Sequence, residues 1–142
     1  MSVARILNAK GRAVITISED DTLRVATRLL AQHRIGAVVI VEADGSVRGI
    51  LSERDIVRAL AEGGGGALDA AVSAHMTRRV VTCTADASLN QVMEIMTAGK
   101  FRHVPVTVDG RLDGMISIGD VVKYRLAQLE HESASLRQYI AS

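Results

Sequence analysis

The chain repeats itself. Shifted by 66 positions, Val14 falls on Val80, Thr16 on Thr82, Asp20 on Asp86, Leu23 on Leu89 and Val38 on Val104. After the loss of one residue the match resumes at a shift of 65. Asp44 and Gly45 then fall on Asp109 and Gly110, Gly49 on Gly114, Ser52 on Ser117, Asp55 on Asp120 and Val57 on Val122. One single-residue gap therefore aligns the whole unit with order, spacing and residue type preserved. Such self-similarity constrains a fold more than any local signal, because both copies must build the same structure. Two copies are too few for a solenoid. They predict a pair related by a pseudo-twofold axis, each covering an apolar face that the other leaves exposed. Residues 10–62 make the first unit and 75–128 the second. Residues 63–74 join them as a glycine-rich linker with a short helix. Its four consecutive glycines, Gly63 to Gly66, are expected to hold neither helix nor strand and to be flexible. The same run also suits a mobile loop within one domain. Residues 129–142 extend past the second unit.

Within one unit the pattern reads strand, helix, strand, turn, strand, helix, a mixed α/β (α+β) class. Val14 to Ile17 is a short β-branched strand. Asp20 or Asp21 can cap a helix with the apolar face Leu23, Ala26 and Leu30. The second copy offers Asp86, then Leu89, Val92, Met93 and Met96 at helical steps of three and four; the methionines read as core packing. Gly36 is expected to end the first helix. Ala37 to Val41 is a continuous apolar run, the mark of a buried strand. Asp44-Gly45 and Asp109-Gly110 signal hairpins, so Val47 to Leu51 and Leu112 to Ile116 should pair back. Ser52 and Ser117 then open each unit's second helix. The last helix is predicted to run from about Gly119 to about Ile140. Val122, Leu126, Leu129, Ser133, Leu136 and Ile140 alternate steps of four and three, a heptad seam with one polar gap. It suits either packing on its own domain or self-association.

Composition removes several functions. The 142 residues carry a net charge of +1 with no long block of one sign, which does not suit binding driven by neutralising duplex phosphates. Phe101, Tyr124 and Tyr139 are the only aromatic residues, too few for a base-stacking platform. No nucleic-acid partner is expected. Cys83 stands alone, and His33, His75, His103 and His131 lie far apart, a poor start for a metal site. Met1 to Val14 lacks a signal-peptide core and no apolar run approaches a membrane span, so no membrane association and a cytoplasmic location are expected.

Two motifs carry chemistry. Gly-Ile-Leu-Ser-Glu-Arg-Asp at 49–55 matches Gly-Met-Ile-Ser-Ile-Gly-Asp at 114–120. One reading is a helix capping box, in which serine and the acid three residues later satisfy free backbone amides. The other is ligand binding. The motif recurs at equivalent positions and uses Asp where a capping box favours Glu or Gln. It also lies at a strand-to-helix junction, where phosphates are commonly cradled. A carboxylate there suits a ribose diol. The second motif is Lys100-Phe-Arg-His-Val-Pro-Val106. Arg102 can fork onto a phosphate and His103 can donate to one or sense pH; an exposed basic loop is the plainer reading. The first copy has Ile35-Gly36-Ala37-Val38-Val39 here, without charge or proline.

These residues together resemble a cystathionine-β-synthase (CBS) domain pair over about residues 10–128. The resemblance implies two tandem β-α-β-β-α units packed sheet to sheet, with two composite clefts that bind AMP, ADP, ATP, NAD(H) or S-adenosylmethionine, AMP being the first expectation. Site one would combine Ile50, Ser52, Arg54 and Asp55 with Val81, Thr82, Arg102, His103 and Pro105. Asp55 would hold ribose, Arg54, Arg102 and His103 would meet phosphate, and apolar residues would sandwich adenine. Site two would combine Met115, Ser117 and Asp120 with Ile15, Thr16, Gly36, Ala37 and Val38. There Gly119 replaces Arg54 and Gly36-Ala37 replaces Arg102-His103, so site two is expected to lack nearby cations and to bind weakly, take a nucleoside-like group or stay empty.

The expected role is a non-catalytic regulatory sensor, working as a homodimer on an unnamed downstream protein through a ligand-dependent change in module geometry. An enzyme is disfavoured, because no nucleophile–base pair or catalytic cofactor site is evident. The alternative is a structural dimerisation module with vestigial sites.

Overall fold

Each copy builds a small sheet with helices packed on it, and the computed structural model describes residues 1–141. In the first unit β1 (Thr16–Ile17) leads to α2 (Leu23–His33), β2 (Ala37–Val41), β3 (Val47–Ser52) and α3 (Glu53–Gly63); the helix ahead of them is α1 (Val3–Lys10). In the second, α4 (Leu89–Gly99), β4 (His103–Val108), β5 (Arg111–Ser117) and α5 (Ile118–Ala141) follow in the same order. The sheets are β1-β2-β3, with β1 parallel to β2 and β3 antiparallel, and the antiparallel pair β4-β5. Leu23, Ala26 and Leu30 are buried as their spacing predicts, and so are Leu89, Val92 and Met96. Each stripe lies in its own unit's core with the inward residues of that unit's strands.

Four local expectations are corrected. The helix caps are Thr22 and Ser88, whose side chains accept from the backbone N–H of Val25 and Gln91. Asp21 instead accepts from Ser18 N–H, and Asp86 bonds the Thr84 hydroxyl, so these acids close the loops before the helices. The first helix ends at Arg34, not Gly36, with φ +53°, and Lys100 matches it at φ +57°. Third, the second copy's opening strand shrinks to one bridge between Cys83 and Val106. In the first copy Val39 N–H donates to Ile15 O. The equivalent donor is Pro105, which has no N–H, so the ladder cannot extend toward Val81. Fourth, the glycine run is helical: Gly63 closes α3 and Gly64–Asp69 forms a 3₁₀ turn, followed by a second at Val72–Ala74.

The segment ahead of each unit packs on the other unit. Residues 70–73 bond the first unit: Leu23 N–H donates to Ala70 O, Val72 N–H to Asp21 O and Ser73 N–H to Glu19 O. Residues 1–4 repeat this on the second: Leu89 N–H donates to Met1 O, Val3 N–H to Ala87 O and Ala4 N–H to Ala85 O. Val72 and Met76 thereby join the first core, and Val3, Ile6 and Leu7 of α1 join the second. The units also meet at their hairpin tips, where Ser46 bridges Arg111 and Leu112 N–H donates to Gly45 O. No helix of the described residues is long and apolar enough to cross a membrane.

Candidate functional site

A cleft of about 720 Å³ opens between the units, within the range typical of small-molecule sites. One wall is the β3–α3 junction. Ser52 ends the strand and caps α3, accepting from Asp55 N–H at 3.3 Å. Asp55 returns the contact: its Oδ2 accepts from Ser52 N–H at 2.9 Å and from the Ser52 hydroxyl at 3.1 Å. The capping box is thus real, and aspartate closes it despite its shorter side chain. The box also fixes Asp55, buried, on the cleft wall. Its second oxygen, Oδ1, lies 3.8 Å from the Arg58 guanidinium, a loose contact that leaves room for another donor.

The opposite wall comes from the second unit. Gly99, Lys100, Phe101, Arg102 and His103 line it, with Arg79, Val80 and Val81 from the segment that runs toward the Cys83 bridge. The left-handed turn at Lys100 aims this segment into the opening. His103 crosses to the first unit. A Cβ on Gly36 would lie 3.1 Å from its Cε1, so a larger residue there would press the ring aside by a few tenths of an ångström. Burial holds the imidazole below its ordinary value; Glu53 and Asp120 oppose this, while Arg102 and Lys10 add to it.

Of the residues expected at site one, Ile50, Ser52, Arg54, Asp55, Val81, Arg102 and His103 line the cleft. Thr82 opens onto a separate depression beside Cys83 and Gln91, and Pro105 is buried within β4. Sequence reasoning overlooked Arg58, Arg79 and Ile118 as lining residues. Arg58 was within reach of it, since it stands one helical turn after Arg54 on the same face. The charges are lopsided. Arg54, Arg58, Arg79, Lys100 and Arg102 face only Glu53 and Asp55, around the apolar patches of Ile50, Val80, Val81, Phe101 and Ile118.

The second Ser-x-x-Asp junction repeats the geometry with a different neighbour. Asp120 Oδ2 accepts from Ser117 N–H at 2.9 Å and from its hydroxyl at 3.0 Å. Lys10, the last residue of α1, also donates to it at 2.6 Å. The expectation that site two lacks nearby cations is therefore wrong, because α1 was not foreseen. Burial pushes the Asp120 carboxyl up, but the Lys10 ammonium and the Ser117 donors outweigh it and hold it below the ordinary value. Met115 and Ser117 are half-buried beside it on β5. On the other side, Ile15 is half-buried and Thr16 exposed, while Ala37 and Val38 are fully buried and offer a ligand no surface in this structure. Gly36 lines the first cleft instead.

Two tandem α/β units sharing a composite cleft at a strand-to-helix junction define a class of paired binding modules. The CBS domain family profile matches the chain twice, over residues 10–62 and 72–127, and the chain belongs to that family. A CBS domain-containing protein of Bacillus subtilis is 32% identical over 122 residues, covering 85% of this chain and 83% of its own. The crystal structure of a CBS-domain containing protein from Agrobacterium tumefaciens shares 51% identity with a TM-score of 0.84, covering 87% of this chain and 92% of the other. A CBS domain protein from Pyrobaculum aerophilum, complexed with AMP, shares 27% identity with a TM-score of 0.80, covering 94% and 99%.

Proposed function

We propose that this CBS pair is a non-catalytic regulatory module that binds an adenine nucleotide, AMP foremost, in the cleft between its units. The observation that carries the reading is the lining of that cleft. Five cations ring a buried, pre-positioned aspartate beside apolar residues, matching phosphate, ribose and base in turn. In this assignment Asp55 accepts from the ribose diol through Oδ1. Arg54, Arg102 and His103 meet the phosphate, and Arg58, Arg79 and Lys100 add positive field around it. Ile50, Val81 and Ile118 flank the base. The AMP held by the similar Pyrobaculum protein supports the ligand class. ADP, ATP, NAD(H) and S-adenosylmethionine are the competitors within it.

Among the described residues of the cleft, no nucleophile apart from Ser52, whose partner is Asp55 of its own capping box, is hydrogen-bonded to a base in the way group transfer would need. The serine hydroxyls are committed to capping. Cys83 lies outside the cleft, its thiol pushed up to about 11 by burial and by Asp86, which suits packing rather than nucleophilic attack. Binding instead bridges the two units, and the signal is the resulting bias in their relative geometry.

The test is thermal unfolding with each of these ligands. At about one hundred times its Kd a ligand should stabilise the protein by about 2.7 kcal/mol. Asp55→Asn, which keeps an oxygen for Ser52 N–H, should lose most of that shift while melting normally without ligand. No shift with any ligand would leave the purely structural reading; an unchanged shift in Asp55→Asn would relocate the ribose.

A further inference from the structure

α5 carries two apolar stripes, and its own unit uses one of them. Val121 is buried and Tyr124 packs on the second core. The other stripe is bare: Val122 is 51% exposed, Leu126 53%, Leu129 44%, Leu136 58% and Ile140 74%. From Leu129 onward every described side chain of the helix is exposed. The helix therefore leaves the module at about Leu129 while the heptad seam continues to Ile140. Packing on its own domain, one of the two sequence readings, does not account for the seam.

We infer that this seam is covered by a second copy of the chain, in a parallel, in-register two-stranded coiled coil over Val122–Ile140. The flanking charges select that arrangement. With Leu126, Ser133 and Ile140 at a and Val122, Leu129 and Leu136 at d, the g positions include Arg125 and Glu132, and the e positions Glu130 and Arg137. In a parallel coil each g residue faces the e residue five positions later on the other helix. Arg125 then meets Glu130 and Glu132 meets Arg137, opposite charges at both places and twice over by symmetry. An antiparallel coil of full overlap sets Glu130 against Glu130, Glu132 against Glu132 and Lys123 against Arg137. Shorter antiparallel registers restore the charges but leave either Leu136 and Ile140 or Val122 and Leu126 uncovered. Ser133 is the one polar layer, a register-setting device at some cost in stability.

Light scattering on the full chain should give a dimer, and Leu129→Asp, outside both hydrophobic cores and 44% exposed in the single chain, should give a folded monomer. Glu130→Arg should weaken the dimer about tenfold by turning both symmetric pairs repulsive, and adding Arg125→Glu should restore it. The shorter antiparallel registers predict no such rescue, because Glu130→Arg there sets a second cation against Lys123 or Arg137, and Arg125→Glu relieves neither clash. Ser133→Cys in a glutathione redox buffer should cross-link to itself, with the natural chain and its buried Cys83 as the control. A monomeric natural chain would overturn the inference. So would a dimer that survives Leu129→Asp, a double variant no tighter than the single, or a dimer that Ser133→Cys does not cross-link.

Discussion

His103 stands where the two units touch, and its charge state is coupled to folding. Burial keeps the folded imidazole harder to protonate than in the unfolded chain. Below pH of about 6.5, the ordinary histidine value, the unfolded state therefore binds more protons. Stability should fall as pH drops from there toward the lowered folded value and be level in this term above it. His103→Gln should remove that limb from a plot of unfolding free energy against pH between 7 and 5. Asp120, Glu53, Lys10 and Arg102 remain around the site in that variant. An unchanged limb would place its origin elsewhere. The Ser-x-x-Asp pairs show a different coupling at this scale. Capping and binding are compatible uses of Asp55, since one carboxylate oxygen closes the box and the other makes only the loose contact with Arg58. Stiffening the carboxylate in advance lowers the entropic cost of ligand binding.

At the scale of elements, glycine makes the interlock possible. A Cβ on Gly114 would sit 2.7 and 2.9 Å from the two Leu7 methyls, and one on Gly49 would sit 2.8 Å from Met76 Sδ and 3.0 Å from Thr77 O. The equivalent glycines thus each receive the segment that precedes the other unit. Gly114→Ala should cost about 1–3 kcal/mol by overpacking, and Leu7→Ala about 2–5 kcal/mol by the cavity it leaves. Chemical denaturation of the double variant should show a loss smaller than the sum, since each change relieves the other. Strict additivity would mean that the two residues do not press on each other. This interlock was the least legible part of the fold. Val3, Ile6 and Leu7 have helical spacing, but their partners lie in the second copy, about a hundred residues along the chain. Their burial is a tertiary fact that local pattern does not carry. Lys10 went unnoticed for the same reason, and with it the cation at Asp120. The repeat, the helix stripes and the hairpins were legible because each rests on contacts within one unit. The glycine run was misread from propensity alone: Ala67 and Leu68 pack on the first core and hold the 3₁₀ turn in place.

For the whole molecule, the question is whether the two halves respond as one. Their hydrophobic cores are separate clusters, joined by exchanged segments, meeting hairpin tips and the shared cleft. A ligand held only by the second unit's cations would stabilise that unit and leave the first to open at its former rate. A ligand bridging Asp55 of the first unit and Arg102 of the second must be released before either wall can unfold. Hydrogen exchange separates these cases. With AMP at about one hundred times its Kd, amides that exchange only by global unfolding should slow about a hundredfold. Under the bridged arrangement this holds for the buried amides of β2 and β4 alike. Slowing confined to β4 would reduce the composite site to a one-sided one and remove the physical basis for a geometric signal. Equal slowing in both is the outcome the bridged site requires, and a purely structural pair, which binds no nucleotide, would show none.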